Sequence, residues 1–291
     1  MKQSKWLYLF FVPGLIFYSI FFILPTISAV FYSFTDWDGL TTNFNFVGFE
    51  NYTNLVTNDS IFIKAMTNNL KFMLFVVVFQ TLFSLVFAVL LVKNTKTNIF
   101  LRALYFFPTI LSSVSVAFIW SYMYDPNLGI INNLFTSVGL EMLANNWLGD
   151  QNIAIYSIAF VQVWFHTGQM LIIFVAGLQA IPEDLYEVAK IEGASRWQTF
   201  SKVTWPLIAP AATIVVAYTT IQSFKAFDLI YAMTRGGPNY ATEILATHIY
   251  TTAFRSFKFG YASAESVIFM LVIALITFLQ FRVLRANRVE N

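Results

Sequence analysis

The run of residues 72–92, FMLFVVVFQTLFSLVFAVLLV, contains no charged side chain and lies between Lys71 and Lys93. A helix needs roughly 20 predominantly apolar residues to cross a lipid bilayer, and this run is long enough. Because the bilayer core contains no water, the backbone must satisfy its hydrogen bonds internally there, as a helix does. The run therefore predicts a transmembrane helix.

Similar uncharged runs occur along the rest of the chain. They lie between Lys5 and Asp36, between Arg102 and Asp125, between Asp150 and Glu183, between Lys202 and Lys225, and between Glu265 and Arg282. The composition agrees, since 58% of the residues are hydrophobic and 11% are charged, far from the composition of soluble domains. We expect an all-α integral membrane protein, a single transmembrane domain over residues 1–291, with six helices at about 6–34, 70–92, 103–124, 152–178, 206–232 and 261–284.

The distribution of Lys and Arg predicts the orientation of these helices. One side of the membrane would carry eleven of them, namely Lys2, Lys5, Lys93, Lys96, Arg102, Lys190, Arg196, Lys202, Arg282, Arg285 and Arg288. The other side would carry five, namely Lys64, Lys71, Arg235, Arg255 and Lys258, with Lys225 inside a helix. Since the excess of Lys and Arg marks the cytoplasmic side, we expect both termini and the polar segment 181–210 in the cytoplasm.

The composition and the motif content also exclude several functions. A net charge of +2 gives no indication of a nucleic-acid partner, and the lack of cysteine excludes disulfides, cysteine-ligated metals and thiol chemistry. The sequence contains no Gly-x-x-x-x-Gly-Lys phosphate loop, no recognisable metal-ligand cluster and no nucleophile motif. We therefore expect a non-catalytic chain that binds no metal and no cofactor itself.

The polar segment, IPEDLYEVAKIEGASRWQTFSKVTWPLIAP at 181–210, separates two apolar runs. Pro182 suits the first position of a helix, where Glu183 and Asp184 favour the positive end of the helix dipole. Gly193 is expected to end this helix, and Ser195 to cap a second one. The residues alone leave two interpretations open, an amphipathic helix at the lipid headgroups or a surface that docks to a partner protein.

Within this segment, Glu187-Val188-Ala189 is followed by Gly193 and Ala194, and then by Phe200, Val203 and Pro206. This pattern resembles the EAA loop of the membrane subunits of ATP-binding-cassette (ABC) importers. The chain departs from the usual pattern at Val188, Glu192 and Trp205, where the family has Ala, Asp and Leu. The resemblance implies that a cytoplasmic coupling helix within 181–205, between helices 4 and 5, contacts an ATPase through Glu187, Ala189, Gly193 and Ala194.

Two further stretches are similar to the carbohydrate-uptake branch of this family, and to its maltose-type first permease. They are FVGFENY at 46–52 and the run from Phe227-Asp228 through Gly236-Gly237-Pro238 to Gly260-Tyr261-Ala262-Ser263-Ala264. The resemblance implies a sugar permease of the bacterial cytoplasmic membrane. Its partners would be a different second permease subunit, two cytoplasmic ATPase subunits that use ATP and Mg²⁺, an extracytoplasmic solute-binding protein, and the carbohydrate substrate.

Polar residues inside the predicted spans are candidates for the substrate path, because such residues usually face a bundle interior or a cavity. Helix 4 carries Gln162, His166 and Gln169 on one stripe, and helix 5 carries Gln222, Lys225 and Asp228 among the aromatic residues Phe224, Phe227 and Tyr231. Amides and charges beside aromatic rings suit a carbohydrate, whose hydroxyls form hydrogen bonds and whose C–H faces stack. The alternative interpretation is structural, with His166 bonded across helices and Lys225 paired with Asp228.

Other functions also stay open. Within the importer family, the substrate could instead be a polyol, glycerol phosphate or a modified sugar. Outside it, a secondary transporter driven by an ion gradient would work without an ATPase. A membrane-embedded enzyme is disfavoured, because no paired carboxylates or nucleophile constellation occur.

Overall fold

The computed structural model describes residues 10–286. Within this part, the regular secondary structure is helical, and β-pairing is limited to an isolated bridge between Thr35 and Phe46. Five helices of the described residues are long and apolar enough to cross a membrane, and a sharply bent helix pair makes six if the pair forms one span. The chain is thus an all-helical membrane protein.

The described residues form two compact units. The first joins the described part of Met1–Ile63 to His248–Val272, and the second joins Lys64–Thr247 to the described part of Ile273–Asn291. The expected organisation as a single transmembrane domain stays a prediction.

The first span consists of α1 (Phe11–Tyr18), a π-helical turn (Ser19–Ile23) and α2 (Leu24–Tyr32). Pro25, at the start of α2, has no N–H to donate, and a π-turn is a common adjustment inside a helix. None of the residues in the 18-residue apolar stretch of this span is buried inside the chain (0%). The helix predicted at 6–34 is found from Phe11 to Tyr32. Residues 6–9 lie outside the described part.

The segment after the first span belongs to the first unit and is held by side-chain hydrogen bonds. It carries α3 (Glu50–Thr57). The buried Asn51 Nδ2 donates to the carbonyls of Ser33 and Thr35, at 2.9 Å each. The backbone N–H and the side-chain amide of Asn45 both donate to Asp36, and these bonds lower the pKa of that carboxyl. The FVGFENY motif thus fastens the loop to the end of the first span.

The next helix, α4 (Ser60–Leu91), starts earlier than the predicted helix at 70–92. Asp59 Oδ1 accepts a hydrogen bond from the backbone N–H of Phe62 at 2.8 Å, which is the bond of a helix N-cap. With this cap, the residues before the predicted span and the span itself form one continuous helix.

The predicted single helix at 103–124 is wrong, because the chain bends sharply inside it. The structure has α5 (Lys96–Phe106), a 3₁₀ turn (Phe107–Ile110) and α6 (Ser113–Met123). The two halves of the pair differ in direction by 98°. Pro108 lies in the turn, and Leu111 after it is extended (ψ 156°), so the helical hydrogen-bond ladder ends there.

A short helix, α7 (Ile130–Ser137), and a 3₁₀ turn (Glu141–Leu143) precede α8 (Ala154–Gln179). The predicted helix at 152–178 therefore exists with nearly the same bounds. The polar segment after it forms α9 (Glu183–Ile191) and α10 (Arg196–Thr199), followed by a π-helical turn (Phe200–Thr204).

The predicted helix at 206–232 is also interrupted. It consists of α11 (Trp205–Phe224) and α12 (Asp228–Thr234). Lys225 is the C-cap of α11, with φ −88° and ψ 6°. The backbone N–H of Phe227 donates a hydrogen bond to the carbonyl of Lys225 at 2.8 Å. Asp228 then starts a new helix, where a carboxylate is favoured by the helix dipole.

The second unit is built around α8, which packs against α5 and α11, while α6 packs against α12. In α8, 67% of the apolar window is buried inside the chain, more than in any other candidate span among the described residues. Gly168 permits the approach to α5, because a Cβ there would collide with the carbonyl of Tyr105. The core around it is a cluster of Met170, Leu171, Phe174, Ile208 and Val215 with their neighbours.

The described chain ends with α13 (Leu245–Tyr250), a π-helical turn (Thr251–Arg255) and α14 (Phe259–Ala286). The predicted helix at 261–284 lies within α14. At its start, Gly260 donates its N–H to the carbonyl of Trp37 at 2.8 Å. A Cβ at Gly260 would collide with the Thr35 carbonyl. The GYASA motif therefore packs directly on the loop that FVGFENY fastens.

Candidate functional site

A cavity of about 450 Å³ lies in the second unit at the break between α11 and α12. Residues of α6, α8, α11 and α12 line it together with the connecting backbone, namely Ser113, Gln162, His166, Tyr218, Ile221, Gln222, Lys225, Ala226, Phe227, Asp228 and Leu229. The cavity thus brings together six of the nine residues that the sequence predicted for the substrate path.

The helix break explains how these residues meet. Residues 225–227 are not helical, and such backbone at membrane depth is tolerated where it lines a cavity or is buried in protein. On a continuous helix, Lys225 and Asp228 would be neighbours on one face. Here Lys225 ends one helix and Asp228 starts the next, and both are exposed at the cavity.

One residue of the cavity lining has an unsatisfied polar atom. Gln222 Oε1 is buried and accepts no hydrogen bond within the described residues, and such an atom is costly. Because this atom is enclosed, the amide would have to rotate before it could bond to a polar ligand in the cavity.

Charge of both signs is available at the same wall. In the part of the chain that the structure describes, Lys225 and Asp228 form no ion pair with each other. The structural pair considered above as the alternative role for these residues is thus not formed. A cation and a carboxylate that are not engaged with each other can each hydrogen-bond a hydroxyl group.

The three other predicted path residues lie beside the cavity. Gln169 donates to the hydroxyl of Tyr218, a lining residue, at 3.2 Å. Tyr231 stacks on Phe227, with ring centroids 5.1 Å apart. Phe224 is fully buried in the protein.

Sequence reasoning missed Ser113 and Tyr218. Tyr218 lies four residues before Gln222 and seven before Lys225, so the helical stripe extended by one turn would have included it. Ser113 lies at the start of α6, directly after the bend, and no pattern in the sequence brings it to the cavity.

The polar segment has a tightly defined turn between α9 and α10. The N–H of Ala194 donates to the carbonyl of Ala189 at 2.9 Å, and the N–H of Gly193 to that of Lys190 at 3.1 Å. This pair of bonds is a Schellman motif, which requires a left-handed residue at the Gly193 position. Gly193 has φ +73° accordingly. Ser195 caps α10 in a reciprocal capping box with Gln198, as its sequence position predicted.

The two faces of α9 differ in burial. On the buried face, Ala189 is 7% exposed and Tyr186 packs against the core. The Tyr186 hydroxyl oxygen lies 3.3 Å from Thr204 Oγ1. On the outward face, an apolar row is exposed, formed by Leu185 (41%), Val188 (51%) and Ile191 (85%). We call Leu185, Val188 and Ile191 the outer row of α9.

The four predicted coupling residues therefore differ in their exposure. Glu187 and Gly193 are exposed, Ala194 is half-buried and Ala189 lies against the core of the chain itself. Ala189 thus lies on the buried face of α9, whereas Leu185 and Val188 lie on the exposed one. Pro182 is the N-cap residue of α9 and precedes its first helical position.

Comparisons with known proteins agree with these features. The family described as binding-protein-dependent transport system inner membrane component matches residues 69–289. A multiple sugar-binding transport system permease protein of Streptococcus mutans is 35% identical over 96% of this chain and 95% of its own length. An sn-glycerol-3-phosphate transport system permease protein of Escherichia coli is 33% identical over 96% of this chain and 94% of its own length.

The fold also matches a solved structure. A crystal structure of a bacterial ABC transporter involved in the import of the acidic polysaccharide alginate has a chain that superimposes with a TM-score of 0.83, at 21% identity, over 98% of this chain and 96% of that chain. A second crystal structure, of the alginate transporter with its alginate pentasaccharide-bound periplasmic protein, gives the same TM-score of 0.83.

Proposed function

Because the chain belongs to the family of binding-protein-dependent transport system inner membrane components, we propose that it forms half of a carbohydrate pathway driven by a separate ATPase. The chain is a membrane permease subunit of an ABC importer and a multi-pass protein of the cytoplasmic membrane. The proposal concerns how this subunit is oriented, what drives it and what passes through it.

We place six spans in the membrane, with the bent pair Lys96–Ile110 and Ser113–Met123 counted as one. An even number of spans puts both termini on the same side. The Lys and Arg distribution makes that side the cytoplasm. In this topology α9 and the turn at Gly193 are cytoplasmic.

The outer row of α9 is the observation that supports coupling of this subunit to an ATPase. Leu185, Val188 and Ile191 are exposed on a helix that lies outside every candidate span. Glu187 is exposed on the same helix. An apolar row next to a charge is typical of a helix that docks in a groove of a partner protein. We assign that partner as the ATPase, in keeping with the resemblance to the EAA loop.

The buried face of α9 supports transmission of force. Ala189 and Tyr186 hold the helix to the core that surrounds α8 and α11, and the turn continues through α10 directly into α11. A displacement of α9 by a closing ATPase would therefore move α11, whose other end forms the cavity. The subunit would alternate between inward-open and outward-open states without covalent chemistry.

The cavity at the other end of α11 supports a carbohydrate substrate. It combines amides (Gln162, Gln222), an imidazole (His166), opposite charges and the ring of Phe227. Sugar hydroxyls can bond to each of these polar groups, and apolar C–H faces can stack on the ring. The names of the relatives include both a sugar permease and a glycerol phosphate permease. Lys225 is the cavity group that would favour an anionic alternative of this second kind.

The remaining partners follow from the same scheme. The first span buries none of its apolar window inside the chain, which suits contact with a second permease subunit. Two ATPase subunits would use ATP and Mg²⁺, and this chain would bind neither. An extracytoplasmic solute-binding protein would deliver the substrate to the outer loops.

The proposal is tested by isolating the full chain from its native membrane in mild detergent and identifying the proteins that co-purify. A second permease and an ATPase with a phosphate-binding loop should co-purify, and the complex in vesicles should take up sugar only with ATP. Glu187→Lys should insert normally but lose the ATPase. Sugar uptake by the chain alone, without ATP, would instead establish a secondary transporter.

A further inference from the structure

Three side chains that are far apart in the sequence converge in the first unit. Asp59 precedes α4, His248 lies in α13 and Glu265 lies in the second turn of α14. One ligand atom from each lies within 4.8 Å of the others. His248 Nδ1 and Glu265 Oε1 are 3.2 Å apart. The transport scheme assigns no role to this cluster.

Glu265 is the most unusual member. It is fully buried (0% exposed) in a helix that is apolar enough to span the membrane. Its Oε1 accepts a hydrogen bond from Thr252 Oγ1 at 3.1 Å, whereas Oε2 has no hydrogen-bond partner among the described residues. Buried carboxylates are paired or bind a metal. Oε1 is already paired with His248, and the unsatisfied Oε2 leaves room for a further partner.

Each carboxyl oxygen of Asp59 accepts one hydrogen bond. Oδ1 accepts from the N–H of Phe62 at 2.8 Å, and Oδ2 accepts from the hydroxyl of Tyr261 at 3.0 Å. A carboxylate oxygen that accepts one hydrogen bond still has a lone pair for a cation. Asp59 and Glu265 together carry two negative charges when ionised. A protonated His248 would compensate one of them, and a divalent cation beside neutral His248 would compensate both.

The distances suit a single metal ion. Zinc binds histidine nitrogen and carboxylate oxygen at about 2.0–2.2 Å, so neighbouring ligands of a tetrahedral ion are about 3.4 Å apart. The 3.2 Å between His248 Nδ1 and Glu265 Oε1 is close to that value. An Asp59 oxygen lies within 4.8 Å of both other ligand atoms, so it would have to move closer when the ion binds.

We propose that Asp59, His248 and Glu265 form a binding site for a divalent transition-metal ion, of which Zn²⁺ is the representative. Imidazole with carboxylates is a ligand set that zinc accepts, and the chain has no cysteine to compete for it. Thr252 and Tyr261 hold the two carboxylates in place from outside the ligand set, as is usual for metal ligands. The ion ties together three segments of the first unit that the sequence separates widely.

The test uses the full chain in its purified complex, without a histidine tag, and Zn²⁺ as the probe. The sample is stripped with EDTA, reloaded with Zn²⁺, desalted and analysed for metal. We expect about one more Zn²⁺ per chain in the wild type than in His248→Asn or Glu265→Gln. His166→Asn, which changes the other histidine of the chain, should keep the ion.

Equal zinc content in the wild type and His248→Asn would overturn the proposal, and so would an equal loss in His166→Asn. The wild type alone gives a second test in case the variants do not fold. Zn²⁺ should raise its unfolding temperature more than Ca²⁺ does, and Co²⁺ should give the visible absorption of a histidine-ligated site. No shift with Zn²⁺, or an equal shift with Ca²⁺, would contradict the assignment.

Discussion

Lys225 ends α11 and Asp228 begins α12, and the two side chains line one cavity without pairing with each other. The break between them therefore places two charges at a cavity wall inside the apolar part of the chain. Charges at such positions are costly unless they serve a ligand or a water-filled path. This relationship leads to the first prediction.

Replacing Lys225 by Met or Asp228 by Asn should slow substrate uptake while the protein still inserts. A hydrogen bond to a charged group contributes about 1.5–3 kcal/mol, so we expect a loss of roughly tenfold or more. The measurement is ATP-driven uptake in vesicles at saturating loaded binding protein. The matched control is Lys71→Met, which removes an exposed Lys outside the cavity lining. Equal uptake by Lys225→Met and Lys71→Met would contradict a role of the cavity in transport.

The turn at Gly193 gives a prediction that separates the effect of backbone conformation from the effect of a steric clash. A Cβ at Gly193 would meet nothing within 4 Å, but its φ of +73° is left-handed. A β-branched residue there is strained by about 1–2 kcal/mol, whereas Asn tolerates this conformation. We expect Gly193→Val to lower both co-purified ATPase and uptake, and Gly193→Asn to keep them. If the two variants behave alike, the shape of this turn does not matter for coupling.

The contact between α8 and α5 predicts a stability difference between two glycines. A Cβ at Gly168 would collide with the backbone of Tyr105, whereas a Cβ at Gly14 in α1 would meet nothing within 4 Å. Overpacking costs about 1–3 kcal/mol. Gly168→Ala should therefore lower the unfolding temperature of the detergent-solubilised complex, and Gly14→Ala should not. An unchanged unfolding temperature for Gly168→Ala would show that α8 and α5 lie further apart than they do in the structure.

The proposed topology is open to a labelling experiment, because the natural chain contains no cysteine. Met142 and Ile191 are almost equally exposed, at 88% and 85%, and should lie on opposite sides of the membrane. A membrane-impermeant maleimide should label Met142→Cys in intact cells. It should label Ile191→Cys only after permeabilisation. Labelling of both in intact cells would refute the six-span arrangement.

Long uncharged runs predicted helices at 152–178 and 261–284, and the structure has helices there, α8 and α14. Such runs have few alternatives in a chain of this composition. The sequence did not predict where the spans break. Pro108 is visible in the sequence, but a proline alone does not distinguish a mild kink from the 98° bend that the structure has. Lys225 and Asp228 are visible too, but their spacing also fits a continuous helix, so the break between them could not be predicted.

Site residues were predicted where they share a helical stripe, as Gln162 and His166 do on α8. They were missed where tertiary structure alone joins them, as for Ser113 at the cavity. The same reason applies to the cluster of Asp59, His248 and Glu265. No spacing rule connects a loop residue to two helices so far along the chain, so no sequence pattern predicts a metal there.

If an ATPase drives this subunit through the outer row of α9, a cross-linker attached to that row should capture the ATPase. Val188→Cys, half exposed at 51%, would carry a photoactivatable maleimide in the native membrane, with Met142→Cys as the control. We predict that Val188→Cys cross-links to an ATPase with a phosphate-binding loop, with a yield that changes on ATP addition, and that Met142→Cys does not. Adducts of Val188→Cys with lipid alone would place α9 at the headgroups and contradict the account.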